Sequence, residues 1–115
     1  MQTLRMEEKR RFPRVNLNTQ LKYRIRGKTN YAHALANNIS VGGLGLLNQE
    51  FIAPSTLLML EINLRSRVLH PVGKVVSAFN LPHSERNRLG LEFLEMPSEE
   101  KDYLKDFIKL KTDQF

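Results

Sequence analysis

The chain contains no cysteine. Disulfides, thiolate nucleophiles and thiolate metal sites are thereby excluded, and stability has to come from packing. No apolar run approaches the ~18 residues that a membrane-spanning helix requires. The basic and acidic residues at the N-terminus also lead into no apolar stretch of the kind a signal peptide carries. These absences favour a cytoplasmic protein without membrane insertion. Aspartate is confined to Asp102, Asp106 and Asp113, so the preceding sequence offers none for a triad or a carboxylate pair. His33, His70 and His83 are scattered without ligand spacing, which argues against a metal site. Ser40 lies in Asn-Ile-Ser-Val-Gly, which lacks the Gly-x-Ser-x-Gly elbow, and it reads as a turn hydroxyl. No catalytic residue, no metal and no cofactor are expected, and the chain is not expected to be an enzyme.

What is present is positive charge, unevenly placed. The 115 residues fit one domain and carry a net +6. Residues 1–28 hold nine Lys and Arg less two Glu, a local +7, whereas the remaining 87 hold nine basic and ten acidic groups, a net −1. That asymmetry raises the local concentration of an anionic partner at one end; a solvated arm is the simpler reading of the same charge.

Most of the chain alternates with period two, the mark of half-buried strands. Val15, Leu17, Leu21, Tyr23 and Ile25 alternate with polar residues until Gly27-Lys28-Thr29-Asn30 supplies a turn. Tyr31 to Ala36 reads as the return strand and Gly45 to Leu47 as the next, with a glycine bend between them. Leu58 to Leu64 is the clearest strand. Arg65-Ser66-Arg67 then turns the chain into a strand from Val68 to Phe79, in which Pro71 demands an edge or a bulge. Arg88 to Leu94 is the last strand. Only then does the period change: Ser98 reads as an N-cap, and Tyr103, Leu104, Phe107, Ile108 and Leu110 form the apolar stripe of a helix over about 98–111. Six short strands and one helix suggest a mainly β fold, a closed or nearly closed six-stranded antiparallel β-barrel with a C-terminal α-helix whose stripe either closes one end of the sheet or docks on another subunit. The expected division is a flexible basic N-terminal arm over 1–14 and the barrel with its helix over 15–115.

Two clusters could carry chemistry. Arg10 and Arg14 are four apart, and Pro13 disfavours a helix between them. In an extended chain they share one side, roughly 13 Å apart at ~3.3 Å per residue, a span suited to a ligand with two anionic or purine ends. Arg11 would face the other way unless the segment bends, and the ring of Phe12 could anchor the arm. In Asn38-Ile39-Ser40-Val41-Gly42-Gly43, two short polar side chains share a strand end while Gly42 and Gly43 clear the approach; an ordinary hairpin turn explains the same residues.

Taken together, Arg10-x-x-x-Arg14 and Asn38-x-Ser40-x-x-Gly43 resemble the paired motifs RxxxR and (D/N)xSxxG of the PilZ domain. The resemblance extends over Gly73-Lys74-Val75-Val76, Arg88-Leu89-Gly90-Leu91-Glu92-Phe93 and the terminal helix, and so spans nearly the whole chain. It implies a stand-alone six-stranded barrel that binds cyclic di-GMP as a receptor and signals to an effector protein, with no DNA partner. Arg10 and Arg14 would grip guanine edges and phosphates, and Asn38, Ser40 and Gly43 would receive a base. Lys9, Arg11, Gly42, Arg86 and Arg88 are candidates for further contacts. Asn38 in place of the commoner Asp removes a negative acceptor for the guanine edge, although its amide oxygen still accepts. Two other functions fit parts of the pattern: a small-barrel nucleic-acid binder, and a PilZ-like protein adaptor without ligand. Three Tyr and six Phe in no evident stacking row count against the first, and the intact motifs count against the second. Monomer and homodimer remain open.

Overall fold

The computed structural model of the chain describes residues 12–112; Lys9, Arg10 and Arg11 lie outside them. Among the described residues, seven strands precede one helix: β1 (Val15–Ile25), β2 (Ala32–Ile39), β3 (Gly43–Asn48), β4 (Leu57–Leu64), β5 (Arg67–Leu69), β6 (Val72–Asn80), β7 (Asn87–Glu95) and α1 (Ser98–Thr112). All pairings are antiparallel and run β1-β2-β3-β7-β6-β4, and β4 returns to β1 through Lys22↔Glu61 to Ile25↔Leu58. Six strands therefore close a barrel, which leaves no free edge among them.

The seventh strand departs from the sequence reading. The tract from Val68 to Phe79 is not one strand: it breaks at His70-Pro71, and the short β5 before the break folds back on β4 as a hairpin. Proline cannot donate to a ladder, so the break falls where Pro71 stands. Arg65 sits at φ 59° in the two-residue link between β4 and β5, and its guanidinium lies 5.8 Å from the Phe107 ring centroid.

Alternation decides what is buried. In β4, Leu58, Leu60, Ile62 and Leu64 point inward at 2 % exposure or less, and Leu21, Tyr23, Ile39, Leu46, Val75 and Leu89 join them. Each such side chain contributes about 1.5–3 kcal/mol on leaving water. The helix supplies Leu104, Phe107 and Ile108 to the same core, so its stripe packs within the molecule. Leu110 is an exception at 65 % exposure. The Pro97 carbonyl accepts the first helical bond, from the Lys101 N–H at 2.9 Å, so the cap falls one residue before Ser98. Two hydrogen bonds with main-chain groups help tie the helix to the barrel: the Tyr103 hydroxyl donates to the Leu64 carbonyl at 2.8 Å, and the Glu100 carboxylate accepts from the His70 N–H at 2.6 Å.

Candidate functional site

Antiparallel pairing of β1 with β2 brings the two motifs together. Val15 pairs with Ile39 and Asn16 with Asn38, so Arg14, just before β1, emerges beside Ser40, just after β2. Both lie in the wall of one open cleft of about 680 Å³, together with Phe12, Asn38, Gly42, Gly43 and Arg88. The chain bends at Phe12.

The turn itself is fixed by Ser40. Its N–H donates to the Gly43 carbonyl at 2.8 Å; its buried hydroxyl accepts from the Gly42 N–H at 3.1 Å and approaches the same carbonyl at 3.4 Å. Ser40 thus behaves as the turn hydroxyl that its sequence context suggests. The two glycines have separate reasons to lack a side chain. A Cβ at Gly43 would drive into the carbonyl oxygen of Leu91 on β7, so its hydrogen is demanded by strand packing; clearance for a ligand is not what requires it. A Cβ at Gly42 would meet two ring carbons of Phe12 at 2.8 Å.

The floor follows from register. Asn38 pairs with Gly45, Gly45 with Gly90, and Gly90 with Ser77, which sets one row of small or short polar residues across four strands on the outer face. A Cβ at Gly45 would lie 2.7 Å from Asn38 Nδ2 and 2.8 Å from Asn37 Oδ1, and one at Gly90 would lie 2.5 Å from Ser77 Oγ. The side chains beside the glycines thus lie over their Cα atoms, and the row is a shallow shelf that a planar ring can approach. Asn38 Nδ2 donates to Asn37 Oδ1 at 3.3 Å, while Asn38 Oδ1 has no hydrogen-bond partner among the described residues.

On one side of the shelf, Leu47, Arg88 and Phe79 form the next row; on the other, Gly43, Glu92 and Lys74 do. Arg14 and Arg88 both enter the cleft wall and neither has a carboxylate within ion-pair distance among the described residues. Among the described residues, Glu92 is the sole carboxylate in that wall. Arg86 is elsewhere, in the β6–β7 hairpin, where its N–H donates to Ser84 Oγ at 3.0 Å. Of the residues singled out from sequence, Arg14, Asn38, Ser40, Gly42, Gly43 and Arg88 meet in one place and Arg86 does not; Lys9, Arg10 and Arg11 lie outside the described residues. Sequence reasoning missed Asn37, Gly45, Ser77, Gly90 and Glu92. Only the doublet Asn37-Asn38 and glycines interrupting period-two strands hinted at them.

Fold and cleft together define a small closed barrel whose outer face is hollowed into a polar, arginine-walled shelf. The PilZ domain family model matches residues 8–110, and the chain belongs to that family. Comparison with curated protein sequences finds no match. Among solved structures, the chain is similar to the Bacillus subtilis inhibitor of motility MotI/DgrA, at 20 % identity and a TM-score of 0.76 over 92 % of this chain and 53 % of that one. It thus spans about half the length of that relative. The PilZ domain of Escherichia coli YcgR with c-di-GMP matches at 16 % identity and a TM-score of 0.67, covering 92 % of this chain and 98 % of that one. The K. pneumonia MrkH–c-di-GMP complex matches at 17 % identity and 0.68, covering 86 % and 49 %.

Proposed function

We propose that the chain is a cyclic di-GMP receptor and that the Gly45–Gly90 shelf is where a guanine lies. The observation that carries this reading is the meeting of Arg14 with Asn38, Ser40 and Gly43 around a low floor, where only the short polar side chains of Asn37, Asn38 and Ser77 lie over Gly45 and Gly90. An arginine fork pairs with guanine O6 and N7 or with a phosphate. Asn38 Oδ1 accepts from the guanine N1 and N2 donors, and Glu92 offers a second acceptor at the rim. Ser40 and Gly43 act by fixing the turn and its strand, and Arg88 faces a ligand phosphate from the opposite wall. Arg10 is the second grip, with Lys9 and Arg11 beside it; Arg86 makes at most an outer contact.

The domain then consists of a basic arm over 1–14 and a barrel with its helix over 15–115. The arm closes on the ligand, and the altered surface is read by an effector protein. Segments that order on binding lose conformational freedom but change what a partner meets, which suits a binding module. A catalytic role has little support among the described residues: Ser40 Oγ is engaged within its own turn and no histidine of theirs lines the cleft. The YcgR and MrkH structures, each with c-di-GMP, support the choice of ligand.

Titration calorimetry with cyclic di-GMP, cyclic di-AMP and GTP tests the reading. The guanine dinucleotide should bind best, and Arg14→Ala should weaken it by ~1–3 kcal/mol, roughly 5-fold to 150-fold, if one bidentate contact is lost. Arg10→Ala should weaken it as well. Equal affinity for the three nucleotides, or wild-type affinity in Arg14→Ala, would overturn it.

A further inference from the structure

Phe12 is 44 % exposed, yet one edge of its ring lies against the backbone at Gly42, where Cδ2 and Cε2 both come within 2.8 Å of the position a Cβ would take. Among the described residues the three nearest atoms to that position all belong to Phe12, the third at 3.9 Å, whereas at Gly43 a Cβ would strike the backbone of β7. The two adjacent glycines therefore serve different partners. Gly42 accommodates the arm and Gly43 the sheet.

We propose that Phe12 is a positioning residue for Arg14, and that Gly42 is the seat its ring needs. Arg14 stands between two fixed points. On one side Val15 enters the ladder opposite Ile39; on the other, Phe12 is seated on the Ser40–Gly43 turn, which is itself closed by Ser40 and joined to β7 through the Phe93 N–H to Gly42 carbonyl bond at 2.9 Å. Pro13 links ring and guanidinium-bearing residue with a fixed φ and no N–H of its own, so displacement of the ring is passed on to Arg14. The seated ring holds Arg14 in the cleft wall before ligand arrives, which reduces the ordering that binding must supply.

The proposal rests on the cleft being the cyclic di-GMP site, and the test separates the two. Wild type, Phe12→Ala, Gly42→Ala, the double variant and Phe12→Tyr are compared by calorimetry with cyclic di-GMP, by melting without ligand, and by the rate at which trypsin cleaves after Arg14 without ligand. Both single variants should bind on the order of 10-fold more weakly and be cut faster after Arg14, and the double variant should match Phe12→Ala, because contacting residues couple. Ligand-free melting should be unchanged, and Phe12→Tyr, which keeps the ring, should behave as wild type.

Additive losses in the double variant would overturn the proposal. So would a melting loss in Gly42→Ala that persists without the Phe12 ring, since that would assign Gly42 to the barrel. Weaker binding in Phe12→Ala with unchanged cleavage would make Phe12 a ligand contact and overturn its positioning role. If wild type fails to bind cyclic di-GMP, the proposed function falls, and the ligand-free cleavage rates still decide whether Phe12 and Gly42 hold Arg14.

Discussion

Glu100→Ala should cost more stability than the loss of any exposed carboxylate of the helix. Glu100 is buried in the first turn of α1, where one carboxylate oxygen accepts from the His70 N–H at 2.6 Å and the other lies 3.0 Å from His70 Nδ1. A charge-assisted bond to a backbone donor is worth ~1.5–3 kcal/mol, and a carboxylate facing the positive end of the helix adds ~0.3–1 kcal/mol. The histidine side chain is 55 % exposed, so solvent screening limits the ring contact to under ~1 kcal/mol. The loss should therefore be about 2–4 kcal/mol, which lowers the melting temperature by on the order of 10 °C for a domain of this size. Glu99, its neighbour, is the control: its side chain is 86 % exposed and reaches Arg67 only at 3.5 Å, so Glu99→Ala should melt as wild type. Glu100→Gln retains an acceptor for the His70 N–H and should fall between. Calorimetric or circular-dichroism melting at neutral pH reads all three. If Glu100→Ala melted within about 2 °C of wild type, the clasp between helix and barrel would carry no net stability and the reasoning would fail.

Other outcomes follow from the same geometry. Gly43→Ala should destabilise the domain by about 1–3 kcal/mol or more in urea unfolding, because its Cβ meets the Leu91 carbonyl and β3 cannot stay paired with β7; a wild-type midpoint would refute that cause. Burial raises the Tyr23 pKa above its ordinary 10.0, Glu50 adds to the rise, and the hydrogen bond from Asn48 opposes it. The folded state thus holds this proton more tightly. The resulting stability is complete below pH 10 and is lost as pH climbs through the raised value, so Tyr23→Phe should flatten the alkaline fall in melting temperature relative to wild type.

Much of the barrel is written locally. β4 alternates cleanly and β1 does so apart from an irregularity between Asn16 and Thr19, and their buried residues are among those the alternation selects. The helix stripe was legible too, except that Leu110, in the last turn, faces solvent. β5 was not legible, because three residues ahead of Pro71 look the same whether the chain bulges or breaks. The site divides in the same way. Arg14, Asn38 and Ser40 declare themselves by type and spacing, but Gly45, Gly90 and Ser77 become a shelf only through the register that sets Gly90 opposite Ser77 and, across a much longer stretch of chain, Gly45 opposite Gly90. Register likewise separates Arg88, which enters the cleft wall, from Arg86, which stays in the hairpin. The reason for Gly43 was misread for the same cause: the atom that excludes its side chain belongs to β7.

Amide chemical-shift mapping by nuclear magnetic resonance tests the central claim most directly. Adding cyclic di-GMP to the labelled chain should move the backbone signals of Gly42, Gly43, Gly45 and Gly90 together, with those of Leu104 to Ile108 in the helix left in place. Shifts confined to the helix or to the β6–β7 hairpin, or no shifts at all, would contradict a guanine seated on the shelf beneath Arg14.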